Sequence, residues 1–319
     1  MHLKPSVLCL GTASYGSTIP QGVAFQLMDT YLAAGGNFLD TAHVYASWRP
    51  DGEKASERTI GEWVVANGNR SELVVGTKGC TLDKETGRWP SFDPEFVARE
   101  FNESLTRLQT DYVDIYWLHR DNPEMPIPEI LGVFKPYLDS RVIRSLAVSN
   151  WTVPRLREAI ACARSSDLPE IFASQIGWSL ARTTGKLVGD ETMLFMDDST
   201  HAFHVESKLP LVAYASQATG FFAGKGDRLL SGMRVPGDPL TDYRKIYGHE
   251  ENFQRLARVK VLAERHGTTP NRIALAYLFH QPFPLSPIIG PRTMDQLSDS
   301  LRARDLELSP EEVAMLEGK

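Results

Sequence analysis

The chain has 319 residues, with 34 lysines and arginines against 40 aspartates and glutamates, a formal net charge of −6, and 42% hydrophobic residues. That is the composition of an ordinary globular protein, and its excess of acid argues against a broad nucleic-acid or anionic-membrane face, since both need clustered cations. Cys9, Cys80 and Cys162, an odd set without metal-ligand spacing, argue against a disulfide framework or a metal centre and point to a reducing compartment.

The opening residues, MHLKPSVLCLGT, contain an apolar run too short for a signal peptide, and no stretch approaches a membrane span, so a cytoplasmic protein is expected. Taken in chain order, strands are predicted at Val7 to Gly11, Asn37 to Asp40, Glu72 to Lys78, Tyr112 to Leu118, Val142 to Ser149, Ile171 to Gly177, Leu209 to Tyr214 and Pro287 to Gly290. Helix-period segments alternate with them, and Asp93-Pro94, Thr152 before Val153-Pro154, and Thr269-Pro270 each place a capping side chain ahead of an early proline. Eight strand–helix units predict a closed (β/α)8 TIM barrel, with residues 1–319 forming a single domain. Two connections are long. One, after strand six, runs from Trp178 to Lys208 with a helix expected over Asp197 to Lys208; the other, after strand seven, is a glycine-rich loop from Ala215 to Glu251. Ser309 to Glu312, SPEE, predicts a capping box before a short final helix.

In such a barrel the chemistry sits at the C-terminal strand ends. Asp40 ends the second strand, Tyr45 follows it, Lys78 ends the third, and His119 follows the fourth. Singly, each has an ordinary structural explanation: a turn cap, a packed ring, a solvated strand end, a satisfied histidine. Together they place a carboxylate, a phenol, an ammonium and an imidazole on one rim. A phenol with a reference pKa of about 10 acts as an acid near neutrality only beside a cation, which Lys78 could supply with Asp40 holding it, while His119 donates to a substrate oxygen. That set suits protonation of a carbonyl being reduced.

The sequence resembles the aldo-keto reductase superfamily over nearly its whole length, through CLGTASYG (Cys9 to Gly16), GGNFLDTAHVY (Gly35 to Tyr45), SERTIGEW (Ser56 to Trp63), VVGTKG (Val74 to Gly79), DYVDIYWLHR (Asp111 to Arg120), VSNW (Val148 to Trp151) and PIIGPRT (Pro287 to Thr293). The resemblance implies NADPH-dependent reduction of a carbonyl (with NADP+ as the oxidised cofactor), Tyr45 as general acid, Asp40 and Lys78 tuning it, and His119 orienting the substrate. It also implies cofactor contacts at Gly11, Thr12 and Asp40, at Ser149, Asn150 and Gln175 for the carboxamide, and at Trp178 as the ring stacked on the nicotinamide. Tyr214, Ser216, Gln217 and Gly220 match the stretch crossing the pyrophosphate, though Ala215-Ser216-Gln217 replaces the commoner Ser-Pro-Leu. Arg292, Thr293 and Gln296 match the adenosine-phosphate contacts. Independently of resemblance, Thr293 to Gln296 reads as a capping box beside an arginine, a plausible phosphate cradle, and no glycine fingerprint of a Rossmann domain follows the first strand.

Trp48, Arg49, Arg88, Trp89, Arg120, Asp121 and Trp151 flank the expected chemistry and could take a sugar-like carbonyl or a small aromatic or aliphatic aldehyde. Two rival readings remain at this point: an NADPH-binding redox-sensing or regulatory module with negligible turnover, and a barrel aldolase forming a Schiff base on Lys78.

Overall fold

The computed structural model describes residues 4–47, 52–80, 87, 90–233 and 243–319. Among them eight parallel strands close in sequence order into a barrel with helices between them. They are β1 (Cys9–Gly11), β2 (Phe38–Asp40), β3 (Val74–Gly79), β4 (Ile115–Leu118), β5 (Leu146–Ser149), β6 (Ile171–Gly177), β7 (Leu211–Tyr214) and β8 (Leu285–Ile289). Each predicted strand is present, most of them shorter at the N-terminal end. β8 instead begins two residues earlier than expected, because Leu285 and Ser286 pair with Leu211 and Val212 ahead of Pro287. The chain folds as two compact units, Met1–Gln175 and Ile176–Lys319.

In the first unit β3, β4 and β5 are buried along their whole length, as expected of parallel strands covered on both faces. Register aligns the strand ends: Gly11 pairs with Asp40, Asp40 with Gly76, and Gly79 with Leu118, so Asp40, Lys78 and His119 arrive on neighbouring strands at one end. Helix Pro94–Leu108 starts as predicted, with Asp93 accepting from the amides of Glu95 and Phe96. The helix after β5, Val153–Ser165, lacks the expected cap, since the Thr152 side chain makes no capping bond and Pro154 alone sets its first turn. At Gly61 a side chain would collide with the Arg107 carbonyl, so glycine is what lets helix Ala55–Asn67 lie against Pro94–Leu108.

Just before β4, buried Asp114 ties three segments together. It accepts from the Val75 amide at 2.9 Å, Arg70 at 2.8 Å and Arg144 at 2.7 Å. Asp114→Ala takes the acceptor from the buried Val75 amide and the carboxylate from both guanidiniums, which keep the Tyr112 ring and, for Arg70, three further bonds, and is expected to cost about 2 kcal/mol. A lowered urea midpoint at constant m-value is the check, and an unchanged midpoint would show that the triad contributes nothing.

In the second unit the β6–β7 connection contains helices Gly185–Val188 and Asp198–Ser207, the latter being the expected one, with Asp197 capping the Thr200 amide. The stretch expected as a glycine-rich loop carries more structure than its composition suggests. Its described part holds a 3-10 segment Ala218–Ala223 and helices Lys225–Leu230 and Tyr243–Tyr247, before the long helix Glu250–Arg265. Gly220 (φ 90°) and Gly224 (φ 102°) make the turns that break it into these pieces. Thr269 caps helix Pro270–Phe279, and Ser309 and Glu312 form the predicted reciprocal box at Pro310–Glu317.

Candidate active site

Asp40, at the end of β2, is 2% exposed and fully engaged. Its Oδ2 accepts from Lys78 Nζ at 2.6 Å and its Oδ1 from the Gln175 amide at 3.0 Å. Lys78 also donates to the Thr41 carbonyl at 2.8 Å, and its ammonium lies 4.6 Å from the centre of the Tyr45 ring. Burial alone would lower the Lys78 pKa, but Asp40 and then Tyr45 outweigh it and the net shift is upward. Lys78 is thereby held as an ammonium. Burial raises the Tyr45 pKa, and Lys78 offsets part of the rise, leaving a protonated phenol against a fixed cation.

His119 follows β4, with its backbone amide on the Gly79 carbonyl at 3.1 Å and its ring edge-on to Tyr45 at 6.2 Å. Burial first, then the charges of Lys78 and Arg120, push its pKa well below the usual histidine value. The ring is therefore a neutral imidazole. Side chains at and just beyond the ends of three strands thus bring together a phenol, an ammonium, a carboxylate and a neutral imidazole.

The residues expected at the carboxamide end lie beside this set in the same unit. Asn150 adopts a left-handed conformation (φ 60°), which asparagine tolerates, with its backbone amide on the Gln175 carbonyl at 2.9 Å and its side chain on Ser149 Oγ at 3.0 Å. Ser149 Oγ donates to the Gln175 carbonyl at 3.1 Å. Thr12 is completely buried and spends both its amide and its hydroxyl on the Asp40 carbonyl, at 3.0 and 2.9 Å. Its hydroxyl joins Ser56, which joins Thr41, each at 2.8 Å. The side chain of Thr12 therefore anchors β2, whereas Gly11 is half-buried at the end of β1. Sequence reasoning missed Ser56 and Thr41. The signal was a pair of hydroxyl residues inside the SERTIGEW and LDTAHVY segments with no surface to serve.

The second unit holds the remaining expected residues. Trp178, read as the ring for the nicotinamide, stacks on Phe283 (5.8 Å, 20°) and meets His201 and Tyr277 edge-on, so that a protein ring occupies one of its faces. Tyr214, ending β7, keeps a half-buried ring with its hydroxyl on the Leu194 carbonyl. Ser216 donates to the Ile288 carbonyl, and the Gln217 amide reaches Asn271 and Ser300, pinning the start of the loop to β8 and two helices. Arg292, Thr293 and Gln296 are exposed at the start of helix Met294–Arg302. Thr293 caps the Gln296 amide, but the returning Gln296 side chain bonds the Arg292 amide rather than that of Thr293, so the expected box closes one residue early. Lys225, unremarked in the sequence, lies near enough to Arg292 that this second cation, together with burial, lowers its pKa. Arg292 thus precedes a capped helix start, with Lys225 close enough to feel its charge.

Among the substrate candidates, Trp48, Arg49, Arg88 and Trp89 lie outside the described residues. Arg120 is half-buried and donates to the His119 carbonyl at 2.9 Å. Asp121 is gripped by Arg155 through two bonds of 2.9 and 3.1 Å, and Trp151 is only 2% exposed with that same guanidinium 5.4 Å from its ring. Asp121 and Trp151 are thus both engaged by Arg155 more than they face solvent.

A parallel barrel with this acid–cation–carboxylate set at the strand ends is the frame of a carbonyl-reducing oxidoreductase. A profile of the Aldo/keto reductase family matches residues 7–319, and the chain belongs to that family. It is 28% identical to Protein tas of Escherichia coli (strain K12) over 99% of this chain and 94% of that one. It is also 28% identical to Norsolorinic acid reductase stcV of Emericella nidulans, over 99% and 78%. Among solved structures, a thermostable aldo-keto reductase, Tm1743, crystallised with the inhibitor epalrestat, superposes with a TM-score of 0.68 at 23% identity, covering 98% of this chain and 94% of that one.

Proposed function

We propose that the chain is an NADPH-dependent reductase, acting as one catalytic domain, in which Tyr45 protonates the oxygen of an aldehyde or ketone. The observation that carries the reading is the Asp40–Lys78–Tyr45 set, where a buried carboxylate fixes an ammonium against a phenol. When bound, the cofactor supplies the hydride. Tyr45 donates its proton as charge develops on the carbonyl oxygen, Lys78 stabilises the phenolate left behind, and neutral His119 donates a hydrogen bond that orients that oxygen. A Schiff-base role for Lys78 is disfavoured, because such an amine needs a lowered pKa and here it is raised.

NADPH suits the residues present. The Lys225 and Arg292 charges suit an anion such as a 2′-phosphate, with Thr293 and Gln296 closing the helix end that follows Arg292. Ser149, Asn150 and Gln175 are assigned to the carboxamide, and Gly11, Ser216, Gln217 and Gly220 to the backbone course of the dinucleotide. The half-buried ring of Tyr214 replaces Trp178 as the aromatic for the nicotinamide. With Asp121 and Trp151 turned to structural work, an aromatic or aliphatic aldehyde is favoured over a sugar, with Arg120 at its edge.

Fluorescence titration with NADPH and NADH, followed by a panel of aromatic, aliphatic and sugar carbonyls, tests the reading. Saturable binding with turnover supports it; tight binding without turnover of any carbonyl would turn it into the regulatory reading. Arg292→Ala is expected to weaken NADPH about tenfold while leaving NADH within about twofold, the worth of one charge-assisted phosphate contact. Equal losses for both would remove Arg292 from phosphate recognition.

A further inference from the structure

We infer that His43 is a positioning residue, whose ring, held between Glu100 and Glu103, fixes the loop that presents Tyr45 to Lys78. The inference rests on the reductase reading, because that reading makes the placement of Tyr45 matter. His43 lies two residues before Tyr45, is 6% exposed, and donates its backbone amide to the Lys78 carbonyl at 2.9 Å. Its Nε2 lies 2.9 Å from Glu103 Oε2 and its Nδ1 3.3 Å from Glu100 Oε1, both on helix Pro94–Leu108. The other oxygen of Glu100 accepts the Cys80 amide at 2.7 Å, two residues beyond Lys78. One helix therefore braces both the Tyr45 loop and the end of β3.

The brace is itself anchored. Glu103 also takes Lys54 at 2.8 Å and Arg107 at 3.3 Å, and these contacts hold its pKa near about 2 against the upward pull of burial. Arg107 continues to buried Glu57 at 2.8 Å, which accepts from Thr77 on β3 at 2.6 Å. Arg107 thus ties Glu57 to Glu103, Lys54 adds a second cation on Glu103, and Glu100 meets the His43 ring and the Cys80 amide from the same helix. A neutral aromatic or aliphatic residue in place of His43 leaves Glu100 and Glu103 facing one another across a gap.

The test compares wild type with His43→Leu, His43→Gln and Glu100→Gln, reading kcat and KM for carbonyl reduction, NADPH affinity, and hydrogen exchange of residues 41–47. His43→Leu is expected to lower kcat about 10- to 100-fold, with KM and NADPH affinity within about twofold, as befits a small misplacement of the acid. Exchange of the 41–47 amides is expected to quicken about tenfold with the rest of the barrel unchanged. His43→Gln, which keeps one N–H donor for Glu103, recovers part of the kcat loss. Glu100→Gln, which still accepts the Cys80 amide, gives a smaller version of the same pattern and serves if His43→Leu does not fold. A kcat within twofold of wild type, equal losses for Gln and Leu, or unchanged exchange would overturn the inference. Exchange is read without turnover, so a wild type inert toward every carbonyl counts against the reductase reading, while the exchange result still decides the brace.

Discussion

Tyr45→Phe is expected to lower kcat for carbonyl reduction about a thousandfold while leaving NADPH affinity within about twofold. The substitution removes one hydroxyl and little else, since the ring stays against Lys78 and His119. General-acid catalysis is worth about 10²- to 10⁴-fold, so the loss should sit inside that range. The same site sets the pH response. Burial and two neighbouring cations keep His119 neutral, and burial keeps Tyr45 protonated, so the rate should show no inflection near the ordinary histidine pKa and should fall only on the alkaline side as the phenol ionises. Stopped-flow measurement of the reduction step across pH reads both. Turnover by Tyr45→Phe at the wild-type rate would remove the tyrosine from the mechanism.

The second large effect is at Lys78. Lys78→Met leaves Asp40 buried with only the Gln175 amide for company, and breaking a buried pair in this way costs about 3 kcal/mol. Activity should fall about a hundredfold or more, because Tyr45 loses the cation that stabilises its phenolate. The two consequences separate in a double variant. Adding Asp40→Asn removes the stranded charge, so much of the thermal stability should return while activity does not. Recovery of both together would mean that Lys78 serves folding alone.

The eight strands were legible because a parallel strand covered on both faces reads as a short, continuous apolar run, and β3, β4 and β5 are of that kind. That Asp40, Tyr45, Lys78 and His119 meet was legible because strand ends deliver them, and register does the rest. The packing of Trp178 was not legible, since it lies just beyond β6 and meets Phe283, a residue far along the chain. The hydroxyl chain of Thr12, Ser56 and Thr41 was not legible, since it joins residues 15 and 44 positions apart, and no local pattern encodes which hydroxyls meet. The Lys225–Arg292 proximity has the same cause.

The described partners of the proton-handling residues all lie within Met1–Gln175, whereas the paired cations and the helix start beside them belong to Ile176–Lys319. On the proposed reading, substitutions at Lys225 and Arg292 would retune which dinucleotide is accepted while leaving Asp40, Lys78 and Tyr45 in place, so that the two properties can be varied by separate substitutions.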